Sequence, residues 1–135
     1  MRKNWRYRPM PYSNIAIAPK KTVTILDLQG KGWILYGATL HNNPSLVFTV
    51  ELECGTESYK GSTDTTTLYS VGLTAPVASG WWCSLYNTVA SLYSLQFAPA
   101  VWWPFSQRFK LTVENPTSTE ALITRALILA IELKD

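Results

Sequence analysis

The chain has 135 residues, 47% of them hydrophobic, 13% aromatic and only 16% charged, with a formal net charge of +3. That length suits one domain and that apolar content suits a packed core, which excludes a globally disordered chain. Six Trp, seven Tyr and 26 Ser or Thr residues, beside little Glu and Lys, exclude a coiled coil or long helix bundle and point to a β-rich fold.

The charge is unevenly placed. Residues 1–21 hold Arg2, Lys3, Arg6, Arg8, Lys20 and Lys21 and no acid, while the remaining residues hold six basic and nine acidic side chains. This reads as an extended basic arm, residues 1–21, on a mildly acidic body, residues 22–135. Trp5, Tyr7, Met10, Pro11 and Tyr12 give the arm apolar anchors, so it is expected to dock on its own body or on a neighbour. No apolar run of the kind found in a signal peptide follows the basic residues, and secretion by that route is not expected.

Beyond the arm, Thr22–Leu28 alternates polar and apolar residues and predicts a strand. Gly30-Lys31-Gly32 is a turn without a phosphate-loop pattern. Trp33–His41 predicts a second strand, closed by Asn42-Asn43-Pro44. Leu46–Glu53 predicts a third, with Leu46, Phe48, Val50 and Leu52 on a dry face and Val47, Thr49, Glu51 and Glu53 on a wet one. A turn at Cys54-Gly55-Thr56 leads to a short strand ending near Lys60, then to a polar loop over Gly61–Thr67. Asp64 or Thr65 can cap a short helix over Thr66–Val71, with Gly72 as its left-handed stop. Trp81–Asn87 and Ser91–Phe97 predict two more strands. Pro99–Pro104 reads as irregular or edge-like, and Arg108–Glu114 alternates cleanly. The last segment, Ala121–Leu133, has the Ala and Leu content of a helix, but the preceding strand and short turn favour a closing hairpin strand. On that reading Ile123, Leu127, Leu129, Ile131 and Leu133 share one face, and Thr124, Ala126, Ile128 and Ala130 share the other. About eight antiparallel strands with regular turn signals predict an all-β fold, a β-sandwich or jelly roll with one short helix.

Catalytic chemistry finds little to work with. His41 is the only histidine, so a Ser-His-Asp or Cys-His site would have to use it, and a histidine at the end of a strand is more often structural. Glu51, Glu53 and Glu57 could suggest paired carboxylates, but a solvated strand face is the simpler reading. Cys54 and Cys83 allow one disulfide or two separate thiols, and neither has metal-ligand spacing. No catalytic residue, cofactor or metal is expected, and no small-molecule substrate or membrane partner.

Adjacent tryptophans are the most distinctive feature. In extended chain, neighbours point to opposite faces, so one of Trp81-Trp82 and one of Trp102-Trp103 should face outward or into an interface. Trp102-Trp103-Pro104-Phe105 is a candidate contact loop, and Trp81, Trp82, Trp102, Trp103 and Phe105 are the candidate interface aromatics. An exposed pair could alternatively stack on carbohydrate. The arm residues Arg2, Lys3, Trp5, Arg6, Tyr7, Arg8, Lys20 and Lys21 are candidates to contact a partner subunit or nucleic acid.

The basic MRKNWRYR start, the strand in GKGWILYGATL, the polar loop before TLYSVGL and the hairpin FKLTVENPTSTEALITRALILAIEL together resemble small jelly-roll structural proteins of viruses and bacteriophages. The resemblance implies a virion protein, a capsid subunit or a minor or decoration protein. Its partners would be copies of itself or other shell proteins, with nucleic acid reachable through the arm. It also implies that removing residues 1–21 stops assembly while the body stays folded.

Overall fold

The computed structural model describes residues 4–76, 80–99 and 103–134. They form ten strands and one short helix: β1 (Asn4–Ile17), β2 (Thr22–Gln29), β3 (Gly32–His41), β4 (Val47–Cys54), β5 (Glu57–Thr63), α1 (Thr65–Ser70), β6 (Trp81–Asn87), β7 (Leu92–Phe97), β8 (Trp103–Phe105), β9 (Arg108–Glu114) and β10 (Ala121–Lys134). The strands make two antiparallel sheets. A six-stranded sheet has the order β1-β10-β3-β7-β6, with the short β8 also paired to β3, and a four-stranded sheet has the order β2-β9-β4-β5.

Alternation builds the core. Phe48, Val50 and Leu52 of β4 are buried, and so are Val113, Leu111 and Phe109 of β9, which lie directly opposite them. They meet Ile34 of β3, Leu95 and Phe97 of β7 and Ala126, Ile128 and Ala130 of β10 in one hydrophobic cluster. Burial of this kind contributes roughly 25 cal/mol per Å² of apolar surface. Phe97 lies across β3 at Gly37, where an added Cβ would fall 2.1 Å from its ring, so only glycine fits.

The segment read as a basic arm is, over Asn4–Ile17, a strand of the larger sheet, paired with β10 from Asn4–Lys134 to Ile17–Ala121. It docks on its own body and sends Met10 and Ile17 into the core. As the outer strand it tolerates Pro9 and Pro11, whose missing N–H groups can face the open edge. Asn14 takes a left-handed conformation at φ 54°, and the buried positions change there from Met10 to Ile15 and Ile17. A register shift between Ile123 and Arg125 makes the matching change in β10, whose inward residues pass from Ala121 and Ile123 to Ala126, Ile128 and Ala130. Ile123 therefore faces the core, apart from Leu127, Leu129, Ile131 and Leu133, with which simple alternation had grouped it.

The helix α1 is capped by Asp64, whose carboxylate accepts from the Thr67 amide at 2.6 Å, and Gly72 beyond it has φ 83°. Two departures from the sequence reading are local. The strand β5 runs on to Thr63 because it pairs fully with β4 up to Phe48. Part of the Pro99–Pro104 stretch joins β8, against Gly32, Trp33 and Ile34. At one end of the sandwich, buried Asn115 ties two turns together. Its amide donates to the carbonyls of Ile17 (3.0 Å) and Thr119 (2.8 Å), and its carbonyl oxygen accepts from Thr117.

Candidate interaction surface

His41 is fully buried at the end of β3. Its Nδ1 is 3.0 Å from the Thr39 hydroxyl and its Nε2 is 2.8 Å from the Thr65 hydroxyl at the start of α1. Burial lowers its pKa from 6.5 to about 3, so the ring is neutral at physiological pH. Both nitrogens are engaged by hydroxyls, and the ring packs between Phe48 and Tyr93. This is the geometry of an anchor between β3 and the helix, with no carboxylate bonded to the ring to orient it as a base. Cys54 is exposed, Cys83 is buried, and both are free thiols. Burial pushes the Cys83 thiol pKa up, which keeps it protonated. Among the described residues no group of three His, Cys, Asp or Glu side chains could hold a metal ion.

The two sheets present opposite outer faces. Across the four-stranded sheet run Asp27, Lys110, Glu51 and Lys60 in one row, and Gln29, Arg108, Glu53 and Ser58 in the next. Charges alternate in sign. Lys60 meets Glu51 at 3.3 Å, and Arg108 grips Asp27 through Nε at 2.8 Å and NH2 at 2.6 Å. The Arg108 guanidinium holds the Asp27 carboxyl below the usual range. This is a solvated face, and Glu51 and Glu53 belong to it.

The outer face of the six-stranded sheet is apolar. Pairing partners on neighbouring strands share a face, so its rows can be read from the register. Trp5 lies beside Leu133. Tyr7, Ile131, Trp33 and Pro104 follow, then Pro9, Leu129 and Tyr36. The fourth row is Pro11, Leu127, Ala38, Gln96 and Trp82, and the fifth is Ser13, Arg125, Leu40, Ser94 and Leu85. Arg125 is the single charge in these five rows. Trp5 is 46% exposed and Tyr7 56% exposed, and the Trp5 and Trp33 rings lie 4.5 Å apart. Around Ala38, where side chains are small, a shallow hollow of about 350 Å³ opens between Pro11, Leu40, Arg125 and Leu127. A sheet with both faces apolar is the pattern of a sheet covered on both sides.

The candidate residues fall on and off this surface. Trp5 and Tyr7 lie on it. Arg6 and Arg8 point the other way and bind buried Glu132 of β10, Arg8 at 2.9 and 3.1 Å and Arg6 at 3.4 Å. Lys20 and Lys21 are exposed in the turn before β2, and Lys20 Nζ donates to the Pro116 carbonyl. Arg2, Lys3 and Trp102 lie outside the described residues. Trp82 is on the outer side of the sheet but only 6% exposed. Trp81 and Trp103 are half-buried against Phe97, with Trp103 stacked on it at 5.0 Å. Trp81, Trp82 and Trp103 thus do not form an open stacking platform. Phe105, expected at a contact surface, is 2% exposed in this chain, because its register opposite Gly32 turns it inward onto Phe109.

Sequence reasoning missed Leu127, Leu129, Ile131, Leu133, Tyr36 and Leu40 as surface. The available clue was a β10 sequence apolar at both parities. No protein-family model matches the chain, and no curated protein matches it in sequence, so the functional reading rests on these two unlike faces.

Proposed function

We propose that the chain is a non-enzymatic structural protein of a virion, a shell subunit or a protein that decorates a shell, built on a jelly-roll body. What supports the jelly-roll reading is the winding. Taking β6 and β7 as one hairpin position and setting the short β8 aside, the chain changes sheet at every step except from β4 to β5, which gives β1-β10-β3-β7 facing β2-β9-β4-β5. That is the order produced by rolling up eight strands through two Greek keys.

The observation that carries the functional reading is the apolar outer face of the six-stranded sheet, set against the charged face of the other. Burying such a face between protein copies releases water from aromatic and aliphatic side chains, and repeated weak contacts then hold a particle together. Assembly through this surface is favoured over nucleic-acid binding by the strand, because Arg6 and Arg8 are already committed to Glu132. The virion setting comes from the sequence resemblance. The test is to follow the full-length protein through particle fractions of cells that make it, by sedimentation and electron microscopy. Co-sedimentation with particles, or ordered assemblies far heavier than one 15.2 kDa chain, is the expected result. A protein confined to the particle-free supernatant overturns the reading.

A further inference from the structure

We infer that the apolar outer face of the six-stranded sheet is covered by the same face of a second copy, stacked about a two-fold axis that passes over Leu129 and runs across the strands. This rests on the reading of that face as an assembly surface and names its occupant.

The size pattern along the strands is self-complementary. Along β1 the bulky Trp5 and Tyr7 stand on one side of the Leu129 row and Pro11 and Ser13 on the other, and on β3 Trp33 is matched by Ala38 at the same distance from that row. A two-fold axis through the Leu129 row reverses the order of rows in the partner. Trp33 of one copy then lies over the hollow at Ala38 of the other, Tyr7 over Pro11 and Trp5 over Ser13. Leu129 meets Leu129 on the axis. The one charge also finds a place: Arg125 reaches the end that carries Leu133 and Trp5, where a guanidinium can lie on an indole face.

The area suffices. Same-face residues repeat every ~6.8 Å along a strand and strands lie ~4.8 Å apart, so five positions on β1, five on β10, four on β3 and three on β7 and β8 span roughly 550 Å² before side-chain relief is counted. Relief brings this near the ~800 Å² per partner of a standard specific interface. Face-to-face stacking of sheets with strands roughly aligned is a common packing mode. The alternative of adding a neighbour's strand beside β1 is opposed by Pro9 and Pro11, which offer no donors there.

The test uses charge reversal on the axis. Leu129 is half-buried but lies on the outer face, where a longer charged side chain can reach solvent in the single copy, so Leu129→Lys and Leu129→Glu should leave the fold intact, verified by circular dichroism and thermal melting. Sedimentation equilibrium of the full-length protein should show self-association into species of twice the 15.2 kDa chain mass or its multiples. Each variant alone should self-associate roughly 100-fold or more weakly, because like charges meet at the axis. An equimolar mixture of the two should recover association, since Lys then faces Glu. Wild-type protein that stays monomeric overturns the inference, as does self-association untouched by either variant, or wild-type protein that leaves solution for phosphatidylcholine vesicles without pairing. A monomer found in particle fractions refutes this pairing but keeps the structural role. A dimer with the stated charge behaviour that never enters particles does the reverse.

Discussion

Acidification should destabilise this protein through His41. His41 is enclosed by Thr39, Thr65, Phe48 and Tyr93, and its pKa falls from 6.5 to about 3 on folding. In the unfolded chain the ring takes up a proton near pH 6.5, while in the folded chain it stays neutral down to about pH 3. Between those values the unfolded state binds one more proton, so stability rises with pH and falls as pH is lowered. The gap corresponds to about 5 kcal/mol in full, and to about 2 kcal/mol lost between pH 6.5 and pH ~4.5. That loss is a large part of the roughly 5–15 kcal/mol that holds a domain of this size. Urea denaturation at a series of pH values measures it, compared with His41→Gln, which keeps a polar amide at the site but does not titrate. The wild type should show the slope and the variant should lack it. Equal slopes above pH ~4.5 would refute the reasoning. Asp27 does not confuse the comparison, because the stability its Arg108 pair contributes is lost only as pH falls from the ordinary carboxyl value of 3.8 downward, below that range.

Three further outcomes are expected. Deleting residues 1–17 removes β1, strips Met10 and Ile17 from the core and bares the edge of β10, so the product should aggregate or melt far below the intact protein in a thermal scan. An intact, equally stable body would show that β1 is only an appendage. Gly37→Ala drives a methyl group into the Phe97 ring and should cost about 1–3 kcal/mol by denaturant titration. Asn115→Ala leaves the Ile17 and Thr119 carbonyls without their donor and should cost about 1–3 kcal/mol, with faster amide exchange in both turns it joins.

Much of the sandwich could be read along the chain, for definite reasons. The strands β4 and β9 each bury one face and wet the other, so a two-residue period survives in their sequences. Asp64 and Gly72 bracket α1 by local hydrogen bonding and backbone freedom, which need no distant partner. Residues 1–21 read as an arm in the sequence because they hold six basic side chains and no acid, whereas the strand Asn4–Ile17 is defined by its pairing with β10, more than 100 positions away. The faces of β10 were mixed because a register shift against β3 interrupts the period, and such a shift depends on a strand about 90 positions away. The same effect hid the surface: the sequence shows that β10 is apolar on both sides but not that Tyr36, Ala38 and Pro11 line up beside it. Adjacent tryptophans are visible in the sequence as a feature, yet the packing of Trp81 and Trp103 depends on Phe97 of β7, which the sequence does not place beside them.

Pro9 and Pro11 have a consequence beyond the strand that holds them. An oily sheet with an open flank is a template for endless lateral growth, the route to fibrils. Two missing amide donors spoil that flank over its middle stretch while leaving the broad side of the sheet untouched. Sideways growth beyond β1 is therefore disfavoured, and contact with other molecules is steered toward the broad side.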